Sequence, residues 1–98
     1  MRITNKDLEA VVRRLNLITN SPTEAYSMIT KGDNLGKYKA NIGSYHLSYA
    51  HGGVCLHRMD NESGGVTTPI NSGHVSKREL YGLMQAYIQG ILNTQKEN

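Results

Sequence analysis

A chain of 98 residues makes one domain, and the core that it can enclose is small. With no Trp or Phe, six Tyr and ten Gly, large apolar side chains are scarce and turns plentiful, so tyrosines must carry much of the packing. The formal charge of +3 suits an anionic partner mildly, without the dense Lys/Arg clustering of most nucleic-acid-binding domains, and a single cysteine, Cys55, excludes an internal disulfide.

The first residues, Met1-Arg-Ile-Thr-Asn-Lys-Asp7, hold no apolar leader run, and no window approaches the roughly 18 apolar residues of a spanning helix. With the lone cysteine, this reads as a cytoplasmic protein with no membrane partner. Thr4 and Asp7 stand as a capping box with Asp where Glu or Gln is usual. Leu8, Val11, Val12, Leu15 and Ile18 then fall at helical spacing, which predicts a helix over residues 5–19, ended by Asn20-Ser21-Pro22. Residues 24–30 lean towards an edge strand, with Tyr26 and Met28 in phase, and residues 31–36 towards a turn.

The most patterned stretch follows. Tyr38, Ala40 and Ile42 alternate with Lys39 and Asn41; Tyr45, Leu47 and Tyr49 alternate with His46, Ser48 and Ala50; Val54 and Leu56 alternate with Cys55 and His57. Gly43-Ser44 and Gly52-Gly53 have the composition of two-residue hairpin turns. The first turn would pair Ile42 with Tyr45, Ala40 with Leu47 and Tyr38 with Tyr49; the second, Tyr49 with Leu56 and Ser48 with His57. Both registers agree on one face of Tyr38, Ala40, Ile42, Tyr45, Leu47, Tyr49, Val54 and Leu56, and on an opposite face of Lys39, Asn41, His46, Ser48, Cys55 and His57. After a polar loop, residues 66–70 return as a further strand, which Pro69 confines to an edge or a bulge. Ser76 and Glu79 form a capping box, and Leu80, Leu83, Met84, Tyr87, Ile88, Ile91 and Leu92 make the stripe of a helix over residues 77–93, with a disordered tail over 94–98.

The expected architecture is therefore α+β in two layers: an N-terminal helix, an antiparallel meander of three to five strands within residues 25–70, and a C-terminal helix. Both helices should cover the apolar face and leave the other face free.

Four groups of residues are candidates for function. His74, Ser76, Lys77 and Arg78 put an imidazole, a hydroxyl and two cations at a helix N-terminus, where free amides favour an anion and where basic residues oppose the helix dipole. An ordinary solvated turn is the alternative. Arg58 falls in phase with Leu56 on the apolar face, so it lies at the sheet margin with its stem packed or reaches the ligand of the helix start. His46, His57 and Cys55 share the polar face with Ser48. They lack metal-site spacing and an orienting partner for a nucleophile, so no metal, cofactor or catalytic role is assigned. Gly82, Ala86 and Gly90, spaced four apart on α-helical residues, form a ridge that fits either a second copy of the chain or close packing on its own sheet.

The strings Ala40-Asn-Ile-Gly-Ser-Tyr-His-Leu-Ser-Tyr-Ala-His-Gly-Gly-Val54, His57-Arg58-Met59 and Gly73-His-Val-Ser-Lys-Arg-Glu-Leu-Tyr81 resemble a family of small accessory proteins encoded by tailed phages and prophages, over residues 5–91. That resemblance implies a setting in the host cell cytoplasm and names no reaction. In layout alone the chain is also similar to the Thoeris anti-defence proteins, sponges that sequester cyclic nucleotide-like immune signals without cleaving them. Taken with that likeness, the small chain and the lack of a catalytic constellation make the leading expectation a homo-oligomeric, non-enzymatic anti-defence protein that binds a phosphate-bearing nucleotide signal at a subunit interface. Arg58, His74, Lys77 and Arg78 would neutralise phosphates, Ser76 would donate a hydrogen bond, and Tyr45 or Tyr49 would stack on a base. The rival class is an inhibitor that docks on a host defence complex or nuclease through Lys39, Asn41, His46 and His57; a nucleic-acid-binding accessory protein is third.

Overall fold

The computed structural model describes residues 2–96. Helix α1 spans Asn5–Ile18 and opens on the predicted box: the Thr4 hydroxyl accepts from the Asp7 amide, and the Asp7 carboxylate accepts from the Thr4 amide at 2.8 Å. Its buried side is Leu8, Val11, Val12, Leu15 and Asn16. Strands β1 (Tyr26–Met28) and β2 (Tyr38–Ala40) follow, then β3 (Tyr45–Ala50), β4 (Gly53–Met59) and β5 (Val66–Thr67). The chain closes with α2, Lys77–Lys96.

The architecture is α+β with antiparallel strands, as expected, but the strands form two small sheets, β1-β2 and β3-β4-β5. Leu8, Leu15, Tyr45, Val54, Leu56, Leu80, Met84 and Ile88 meet in one core, so both helices lie on the face of the larger sheet that carries Tyr45 and Leu56. The meander is real, but it is built from β3, β4 and β5.

β2 does not pair with β3, so the pairings Ile42–Tyr45, Ala40–Leu47 and Tyr38–Tyr49 are not formed; β2 pairs with β1, Met28 opposite Tyr38 and Tyr26 opposite Ala40. The bend lies one residue earlier than Gly43-Ser44. The Ser44 amide donates to the Asn41 carbonyl, with Gly43 at φ 91, the left-handed third position of a type II turn. That geometry redirects the chain, whereas a type II′ turn would have folded it back on itself. Consequently Tyr38 and Ile42, expected in the core, are 65 % and 57 % exposed.

The second hairpin turns on His51-Gly52, both at positive φ (54 and 74), as a primed turn requires. Gly53 belongs to β4 instead. A Cβ there would stand 2.8 Å from the His74 carbonyl carbon, so the close approach of the His74-Val75 backbone claims this glycine for the strand. The register therefore pairs Tyr49 with Val54, Leu47 with Leu56, Ser48 with Cys55 and His46 with His57. It differs from the expected one by two residues, an even step, so every side chain keeps its expected face.

β5 is a two-residue edge strand on Arg58 and Met59, just before Pro69. The opposite face is not free. Cys55 and Met59 are buried on it, and the segment between β5 and α2 returns along the outer edge of β4, setting the His74 ring beside that of His57 before Val75 bridges Val54 in both directions. Ser76 caps α2 by accepting from the Glu79 amide at 3.1 Å. The helix runs through the start of the expected tail to Lys96; residues 97 and 98 lie outside the described residues.

Candidate functional site

The residues predicted to share one ligand are divided between two ends of the larger sheet. Val75 bridges Val54 at the hairpin end of β4. Arg58 lies four residues further along the strand, about 13 Å away at the usual strand rise. It cannot join Ser76, Lys77 and Arg78 around one phosphate. Its Nε donates to the Gly43 carbonyl at 3.2 Å, and its guanidinium carbon stands 5.0 Å from the centre of the Tyr45 ring. The marginal placement is thus the observed one, with the side chain tying the turn before β3 to a core aromatic.

Tyr45 is unavailable for base stacking. It is 3 % exposed, its ring sits edge-on to Tyr87 at 6.2 Å, and its hydroxyl lies 3.2 Å from the Tyr87 hydroxyl. Burial and that hydrogen bond push its pKa up to about 12. Tyr49 is half exposed and donates to Asn5 Oδ1 at 3.2 Å; burial, helped by the nearby Glu9 carboxylate, raises its pKa. Tyr49 and Lys77 do converge, with Gly52, Gly53 and Val75, around a cavity of about 420 Å³ beside the first turn of α2. Ser76, Lys77 and Arg78 are all exposed there.

The polar face holds what sequence reasoning saw only in part. The chain's four histidines form a row: the rings of His46 and His57 are 5.7 Å apart, those of His57 and His74 6.4 Å, and those of His74 and His51 6.0 Å. His46 and His57 are directly opposite, not diagonal, and His74 sits within 3.3 Å of the Ser48 hydroxyl. The strand alternation foretold the first pair. Nothing local foretold His74, which arrives with the Val75–Val54 bridge at the outer edge of β4. Burial, then the neighbouring His46 and His74, lower the pKa of His57. Burial likewise raises the Cys55 thiol, partly offset by a hydrogen bond from Ser72. Among the described residues no group of three or more metal-ligating side chains is placed to hold an ion.

The ridge of Gly82, Ala86 and Gly90 faces outward, and a Cβ at either glycine would meet nothing within 4 Å, so the ridge does not pack on the chain's own sheet. Lys39 and Asn41 sit on and beside β2, away from His46 and His57; Asn41 is tied to Glu24 and Ser27 by its side-chain amide, at 2.9 and 2.8 Å. The polar face expected of the four together does not exist.

One feature was missed altogether. A larger cavity, of about 580 Å³, opens between α1 and the outer edge of β3, lined among others by Glu9, Arg13, Leu17, Glu24 and Tyr49. At its floor the buried Asn16 amide holds Tyr45 by both backbone groups, donating to its carbonyl at 3.0 Å and accepting from its N–H at 2.8 Å. A polar residue amid an apolar helix stripe was the available signal.

Fold and site together define a small α+β protein with a projecting two-stranded ribbon, whose polar groups are spread over several surfaces. No protein-family model, curated protein or solved structure matches the chain. Among the described residues no helix is long and apolar enough to cross a membrane.

Proposed function

We propose that this protein is a non-enzymatic inhibitor that docks on a host defence complex or nuclease, with the β1-β2 ribbon as its contact arm. The observation that carries the reading is the ribbon's apolar face, exposed except at Ala40. Tyr26, Met28 and Tyr38 share it by register and are each more than half exposed, and Leu35 near the ribbon tip is 66 % exposed. Aromatic residues and Met are the side chains that protein interfaces concentrate, and a contiguous apolar patch of this kind is uncommon on a surface that stays in water. The setting is the one implied by the resemblance to phage accessory proteins.

The test uses the full chain in host cells with a photo-crosslinking side chain at position 38. A discrete protein adduct that is lost with Met28→Asp, at unchanged circular dichroism, is the expected result. No adduct, together with heat from a small ligand in calorimetry, overturns it.

Sequestration of a cyclic, nucleotide-derived signal is the second reading, favoured by one observation: Tyr49 and Lys77 flank a single cavity next to the Ser76-capped start of α2. Titration with a panel of cyclic nucleotides and ADP-ribose derivatives should then give heat that Lys77→Glu removes. Arg58→Gln should leave that heat unchanged, since Arg58 lies at the other end of the sheet.

A further inference from the structure

We propose that two copies of the chain pair through the outer edge of β3, strand against strand in antiparallel register with Ser48 opposite Ser48 of the second copy. The edge is defined by its hydrogen bonds. Asn16 takes both backbone groups of Tyr45 from outside the sheet. Since backbone direction alternates along a strand, the N–H and C=O of Leu47 and Tyr49 point outward too, while those of His46, Ser48 and Ala50 point to β4. No partner occupies the Leu47 and Tyr49 groups among the described residues. The far side of the sheet, in contrast, is closed by Val75 and β5.

Only one two-fold register satisfies these four groups. Centred on Ser48, Leu47 of each copy exchanges both backbone bonds with Tyr49 of the other. The next rung would set Tyr45 against His51, but Tyr45 is already held by Asn16 and His51 has turned out of the strand at φ 54. The pairing therefore starts and stops where the free groups do. Centring on Leu47 would oppose Tyr49 to the occupied Tyr45, and centring on Tyr49 would oppose Leu47 to the turn residue His51.

The flanking side chains agree. Tyr49, 51 % exposed, would cover Leu47 of the second copy in a cross-strand aromatic–aliphatic pair. α1 runs antiparallel to β3, its Asn5 at Tyr49 and its Asn16 at Tyr45. A two-fold axis at Ser48 thus sets the two α1 flanks antiparallel beside the cavity, where Glu9 and Arg13 lie one turn apart with opposite charge. A continuous six-stranded sheet also offsets the small core of a 98-residue chain.

The experiment measures the mass of the full chain by native mass spectrometry and light scattering at micromolar concentration. A dimer of twice 10.9 kDa is expected. Ser48→Glu and Ser48→Lys should each weaken association about tenfold or more, because like charges then stand directly opposite, and mixing the two should restore a heterodimer. In a Cys55→Ala background, which removes the thiol directly across the hairpin from position 48, Ser48→Cys should form an intermolecular 48–48 disulfide under mild oxidation, identified by peptide mapping, because cross-strand pairs of this kind bring Cα atoms to about 4.5 Å. A chain that is monomeric throughout overturns the proposal. So does a dimer indifferent to both charges that yields no 48–48 disulfide.

Discussion

Asn16 does the work of a strand residue from within a helix. Its amide presents a donor and an acceptor at the spacing of a backbone unit, so Tyr45 is paired at an edge where β3 has no neighbouring strand. Asn16→Ala would strand both Tyr45 groups beneath α1, and chemical denaturation should show a loss of about 2–3 kcal/mol. His57 gives the second prediction at this scale. Burial and the adjoining His46 and His74 disfavour its charged form, so its folded pKa lies below the ordinary 6.5. The unfolded chain therefore binds the proton first as pH falls. Its contribution to stability is intact above 6.5 and is lost as pH falls through the lowered folded value. Melting temperature should drop from pH 7.5 to pH 5.5, and His57→Gln should reduce that drop. A His57→Gln chain with an unchanged pH dependence would refute the account.

At the scale of the elements, the two turns explain which pairings form. His51 occupies a left-handed position that costs a branched or bulky residue more than Asn, the residue a primed turn prefers before Gly. His51→Asn should therefore stabilise the hairpin by about 0.5 kcal/mol and raise the melting temperature by roughly 2–4 °C in a thermal melt. Gly53→Ala should act in the opposite direction, because its Cβ would drive the His74-Val75 backbone away from β4. Much of this level was legible in the sequence. The capping box at Thr4, the Ser76 hydroxyl cap on Glu79, the helix stripes and the facing of Tyr45, Leu47, Val54 and Leu56 all follow from local pattern. The turn position was not legible, because Gly52-Gly53 and His51-Gly52 both suit a primed turn locally, and only the later arrival of His74 decides between them.

The whole molecule is less compact than its length allows. Its radius of gyration is 14.7 Å, against about 13 Å for a close-packed chain near this size, and its extents are 47 × 40 × 22 Å. The excess fits a ribbon whose side chains, Tyr26 to Tyr38, lie outside the main core. Two-stranded ribbons are marginal by themselves, and Lys31, Lys37 and Lys39 stand exposed on this one. Limited trypsin digestion read by peptide mass should thus cut first within residues 31–39, before Arg13 or Arg14 in α1. A first cut in α1 would mean that the ribbon is held more firmly than its packing implies.

What the sequence determined alone was periodicity and its local punctuation: where helices start, which side chains of β3 and β4 share a face, that β1 and β5 lie at edges. These survive because a strand's faces depend only on parity, and a two-residue slip leaves parity unchanged. Which strand lies beside which was settled only in three dimensions. Asn16 takes the backbone groups of Tyr45, Ala25 and Glu62 take the amides of Asn41 and Ala40, and Val75 takes those of Val54, each from a distant point in the chain; those partners placed Arg58 away from Ser76, gathered the four histidines and left one side of β3 open.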